Sequence, residues 1–172
     1  SVRKEVEVEG LSEKLLPLVG ASKFALLLHN VLSAEECSEL VRRAKGENFQ
    51  EIVVKGGKNG ALQTNVASCD RCLVNDAELA AELFGRVSYA LQSLGLEEKL
   101  HHASGNAIMK ATGLSSSLHF LKFRPGDFFA PYRDSQYKRG QEASYVTLQV
   151  YLNSGYRGGK TSFNGSSSGK HF

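Results

Sequence analysis

The sequence predicts an α+β protein, and three observations carry that reading. Two segments in the first half repeat apolar residues at helical spacing, at 34–44 and 75–91. After Gly105 the character changes: glycines at 113, 126, 140, 155, 158, 159 and 165 punctuate short runs rich in aromatic and β-branched residues, as strands and turns require. Helices precede strands instead of alternating with them, which excludes a parallel doubly wound sheet. A chain of 172 residues with 41% hydrophobic and 23% charged residues fits one compact domain and excludes disorder, collagen and coiled coil. Residues 1–22 read as an N-terminal extension and 23–172 as the single domain.

Each element has a local cause. Lys23–His29 (KFALLLH) is a short apolar run, predicted as a strand that leads into the first helix. Ser33 stands three residues before Glu36, the pattern of a capping box, and Cys37, Leu40, Val41 and Ala44 then form one apolar stripe that Gly46 closes. Asn75 and Glu78 open the second helix by the same spacing. Leu79, Leu83, Val87 and Leu91 continue it to Gly95, making it the longest helix predicted. In the second half the clearest strand is Tyr145–Leu152, where Val146, Leu148, Val150 and Leu152 face one way and Tyr145, Thr147, Gln149 and Tyr151 the other.

Charge and cysteine usage narrow the class. The net charge of +3 does not support an extensive phosphate-binding face, so no nucleic-acid partner is expected. The longest early apolar stretch, Phe24–Leu28, falls far short of the ~20 residues of a membrane-spanning helix, and no membrane partner is expected. Three cysteines, Cys37, Cys69 and Cys72, are odd in number and unevenly spaced, which argues for a reducing, cytoplasmic setting over a disulfide framework.

The chemistry concentrates in Leu118–Tyr137. An apolar strand ends there in the turn sequence Arg124-Pro125-Gly126-Asp127, and a second aromatic run ends in Tyr132-Arg133-Asp134. Between Lys122 and Arg139 five cations stand against two carboxylates, a local excess that reads either as attracting an anionic small molecule or as a solvated loop of mixed charge. The block Leu121–Pro131 with Asp134, followed by Thr147–Asn153 and by Gly158-Gly159-Lys160-Thr161-Ser162-Phe163, resembles the prolyl 4-hydroxylase-like branch of the 2-oxoglutarate and iron(II)-dependent dioxygenases. Upstream, Leu32–Cys37 with its helix and Asn65–Leu83 extend the resemblance over about residues 24–163.

The resemblance implies a double-stranded β-helix, or jelly roll, under an N-terminal helical layer. It implies a His-x-Asp pair and a distant His holding Fe(II), with 2-oxoglutarate as cosubstrate, and hydroxylation of a protein or small-molecule substrate. Carried over by residue, Asp134 falls on the carboxylate ligand, while the first ligand His is replaced by Tyr132. A phenol with a pKa of about 10 is a poor ligand for ferrous iron at neutral pH. Only nine residues follow Phe163, so the strands that close the jelly roll and bring the second His are missing from the sequence, and the barrel is expected to be incomplete with an open edge. His171 is the one downstream histidine, set in a Gly/Ser tail. Thr147 matches a hydroxyl position in the 2-oxoglutarate pocket, and Phe123 stands where many relatives carry a tyrosine that bonds the cosubstrate.

Other constellations read as structural. Cys69-Asp70-Arg71-Cys72 is a single Cys-x-x-Cys, half of a zinc site, and reads as packing. His101-His102 reads as a solvated turn and His119 as a satisfied strand histidine within the barrel. The expectation is a chain that binds Fe(II) weakly and turns over 2-oxoglutarate little or not at all. It would then be an oxygenase relative that is silent and binds, or a fragment.

Overall fold

A computed structural model describes residues 26–56, 64–93, 95, 101–104, 107–132 and 136–162. The elements run α1 (Ala34–Lys45), β1 (Gln50–Gly56), β2 (Thr64–Asn75), α2 (Ala77–Ser93), β3 (His101–Ser104), β4 (Ala107–Lys110), β5 (Ser117–Lys122), β6 (Phe128–Phe129), β7 (Lys138–Arg139) and β8 (Glu142–Ala143). The protein is α+β, as predicted, with antiparallel sheets and no closed barrel among the described residues. The predicted order of helices first and strands afterwards is corrected, because β1 and β2 lie between the two helices.

The chain divides into two compact units interleaved along the sequence, Ser1–Glu36 with Ala77–Ser115 and Lys160–Phe172, and Cys37–Asp76 with Ser116–Gly159. In the first unit the capping box forms as read: Glu36 N donates to Ser33 Oγ at 3.2 Å and Ser33 N donates to Glu36 Oε2 at 2.7 Å. Arg86 of α2 ties this corner together. Its guanidinium donates to both carboxylate oxygens of Glu36 at 2.8 and 2.9 Å, to the Val31 carbonyl at 2.7 Å and to Glu82. The bond to Glu36 is the main cause that raises the Arg86 pKa further above its ordinary value. On α2 the buried residues Ala80, Leu83, Ala90 and Leu91 recur at helical spacing on one stripe. The helix starts one residue later than read, since Asn75 is the last residue of β2 and pairs with Ser117. A hairpin of β3 and β4 completes this unit, with His101 opposite Lys110 and His102 opposite Met109. His101 and His102 are therefore strand residues and not part of a turn.

In the second unit β2 is the centre of an antiparallel sheet. β1 pairs along one edge; β5, and further along β6, pair along the other. Ala67, Cys69, Asp70, Cys72 and Val74 are buried, so both faces of β2 are covered over part of its length. That explains why its sequence lacks a clean alternation and escaped the periodicity reading. Asp76, just past β2, closes the corner, with its amide donating to Ser116 O at 2.8 Å and its carboxylate accepting from Arg43 of α1 at 2.5 Å.

Two predicted strands are corrected. Of Lys23–His29, the described residues 26–29 belong to no strand; Leu26, Leu27 and Leu28 are all half-buried without alternation, and Asn30 follows in the left-handed region at φ 58°. Tyr145–Leu152 also belongs to no strand among the described residues. Its exposure alternates only from Leu148 onward and Val146 faces solvent, because alternating residues make a strand only where a neighbouring backbone supplies the ladder.

Ser33→Ala removes one half of the capping box and is expected to lower stability by about 1 kcal/mol in a denaturant titration. Cys69 and Cys72 are buried and burial pushes both thiols up, so alkylation of the native protein should modify the half-buried Cys37 first. Mass spectrometry of partially labelled protein checks the order.

Candidate functional site

The antiparallel register assigns side chains to the two faces of the second unit's sheet. Asp70 pairs with Lys122 and Ser68 with Phe128, so these lie on one face; Arg71 pairs with Leu121, Leu73 with His119 and Ala67 with Phe129, which places those on the other. β5 then runs into the predicted turn. Asp127 N donates to Arg124 O at 2.9 Å, and Gly126 adopts φ 94°, a conformation that favours glycine.

The turn is anchored twice. The Asp127 carboxylate accepts from Arg124 N at 2.7 Å and from Ser68 Oγ on β2 at 3.3 Å. The Arg124 guanidinium bonds Asp70, a carboxylate 5% exposed in the middle of β2, and Lys122 Nζ lies 3.9 Å from the same oxygen. Lys122 also sits 5.9 Å from the centre of the Phe49 ring. The basic excess read from the sequence is therefore partly neutralised at Lys122 and Arg124, whereas Lys138 and Arg139 are on the β7–β8 hairpin, exposed.

On the opposite face the anchored turn presents a ladder of rings. Phe123 and Phe129 meet edge to face with centroids 5.6 Å apart, and Phe129 and Tyr132 follow at 5.6 Å with a 50° tilt. All three are exposed, Tyr132 at 65%. The rings can stack or pack against a partner; none of them is a strong metal donor.

Of the residues predicted to hold iron, Tyr132 alone is among the described residues. Tyr132, in the place of the first ligand His, brings a phenol that packs beside Phe129. Asp134 and His171 lie outside the described residues, and among the described residues no three His, Cys, Asp or Glu side chains converge on a point. Thr147, the predicted 2-oxoglutarate contact, is exposed in a segment that is not a strand, so the strand wall expected to display it is not formed there. Cys69 and Cys72 pack as read, and a spacing of three on a strand sends them to opposite faces. His119 is an exposed residue on β5 and not an interior barrel histidine; partial burial, and then the charge of Arg71, hold its pKa below the ordinary imidazole value.

Sequence reading missed Asp70 and Arg71. The available signal was their position, a charged pair inside a run of small and apolar residues, but the flanking cysteines drew the motif reading instead. No helix of the described residues is long and apolar enough to cross a membrane. Compared with protein families, curated proteins and solved structures, the chain matches none.

Gly126→Ala meets no atom within 4 Å but forces a side chain into positive φ, so it is expected to cost about 1–2 kcal/mol of backbone strain, read as a lower denaturation midpoint. His119 has a lower pKa folded than unfolded. Below the unfolded value of about 6.5 the unfolded chain takes up the proton more readily, and stability falls as the pH drops through that range. His119→Gln should flatten this part of a stability profile measured from pH 7.5 to 5.

Proposed function

We propose that this chain is a prolyl 4-hydroxylase-like relative of the 2-oxoglutarate and iron(II)-dependent dioxygenases that keeps a surface for binding and does not carry out the oxidation. The family half of the reading is supported by the order and spacing of Leu121–Asp134, Thr147–Asn153 and Gly158–Phe163. The silent half is carried by Tyr132, a phenol exposed and packed against Phe129 where a ferrous site needs an imidazole. Bound iron and 2-oxoglutarate would supply C–H hydroxylation in such a family; the phenol of Tyr132 is a poor donor to ferrous iron at neutral pH.

What remains is recognition. The ring ladder of Phe123, Phe129 and Tyr132 gives apolar contact area on a turn that Asp70 and Asp127 hold fixed, and fixed rings bind at lower entropic cost than mobile ones. The partner in this proposal is a protein or small molecule, not nucleic acid or membrane. Three thiols, none in a disulfide, suit a cytoplasmic setting. An active oxygenase is the second reading, favoured by the match of Asp134 to the carboxylate ligand.

Anaerobic titration with Fe(II) or Mn(II), with 2-oxoglutarate decarboxylation assayed in parallel, separates the two. The expected result is weak metal binding and no sustained release of succinate and CO₂, with Tyr132→His tightening metal binding. Sustained turnover by the unaltered chain would establish the oxygenase reading in its place.

A further inference from the structure

We infer that the sheet face opposite Asp70 binds a protein segment that brings one carboxylate to Arg71 and apolar side chains to Leu73 and Leu121. Arg71 sits in the middle of β2, half-buried, directly across from Leu121 in the ladder. Among the described residues it forms no hydrogen bond or ion pair, while Arg124 is bonded to Asp70 on the other face. A guanidinium has five donors in a planar fork and is not deprotonated, so a half-buried one beside apolar surface is matched by a carboxylate. Its apolar neighbours are open to solvent as well: Leu73 is 53% exposed and Leu121 44%, with Phe123 and Phe129 continuing the patch past the end of β5. His119, across from Leu73, already feels the charge of Arg71, a repulsion that an anion placed there would relieve.

The shape and charge of this face choose the occupant. The patch follows β5, whose six residues extend about 20 Å, a length suited to a peptide segment more than to a compact small molecule. By register no aspartate or glutamate occupies this face on β1, β2, β5 or β6. A second copy docked face to face would therefore bring cations and no carboxylate to Arg71, which disfavours a symmetric dimer. The matching partner is an acidic, apolar segment of another protein. This deepens the binding role proposed above by naming its partner, and peptide binding is measured separately from 2-oxoglutarate turnover, so either can fail without the other.

The test is fluorescence polarisation with a short labelled peptide that alternates leucine and serine around one central glutamate, beside the same peptide carrying glutamine there. The intact protein should prefer the glutamate probe by about tenfold. Arg71→Met should abolish the preference, Arg71→Lys should keep part of it, and Leu121→Ser should weaken both probes alike, each variant being checked for a cooperative thermal transition. If Arg71→Met fails to fold, the lysine and serine variants still test the claim. Equal binding of the two probes, a preference that survives Arg71→Met, or a concentration-dependent dimer that blocks the face would overturn it. Decanoate binding that depends on Arg71, with no peptide bound, would overturn it in favour of a small amphiphile.

Discussion

A carboxylate buried in the central strand of a sheet must have its charge answered, and in this protein the answer is Arg124. Asp70 is nearly inaccessible in the middle of β2, where an uncompensated charge would be strongly unfavourable. Arg124 reaches it from the residues just past β5, and Lys122, directly across the ladder, adds a second cation. The pair does more than neutralise a charge. It holds the start of the Arg124–Asp127 turn against the sheet, and Asp127 fastens the other end to Ser68. Between these two fixed points the chain loops out and rejoins the same edge of β2 at Ser68 and Ala67 as β6, running in the same direction as β5.

The anchored turn divides the labour between the faces of the sheet. Even-numbered residues around the turn, Lys122 and Arg124, point to the side of Asp70 and are occupied with it. Odd-numbered ones, Leu121 and Phe123, point away, and with Phe129 and Tyr132 they form an exposed apolar surface that has Arg71 beside it. The polar side explains how the turn is held; the apolar side is where a partner has something to bind. This separation also explains why the positive charge of the segment is a poor guide to its ligand, because two of its cations are spent on Asp70.

The sequence displayed some of this and concealed the rest for physical reasons. Capping chemistry is local, so Ser33 and Glu36 could be read directly, as could the Arg124–Asp127 turn with its Pro and Gly. Helical stripes are also local, and α2 missed its first residue by one only because Asn75 and Asp76 are both good caps. β2 was concealed because a strand covered on both faces loses its alternation, and Tyr145–Leu152 misled because alternation without a partner ladder does not make a strand. The site divides the same way. Tyr132 and Phe123 were visible as residue types within a motif, whereas the partnership of Asp70 with Arg124 joins positions 54 apart in the chain and has no local signature.

The pairing of Asp70 with Arg124 is tested most directly by a double-mutant cycle on stability, using Asp70→Asn, Arg124→Gln and the combination. Arg124 is itself more than half exposed, which reduces the expected coupling below that of a fully buried pair. A coupling energy of about 1–2 kcal/mol is expected, with the double variant less destabilised than the sum of the single ones. Single effects that add to within about 0.3 kcal/mol would show that the two side chains do not depend on each other, and that something other than this ion pair holds the turn against the sheet.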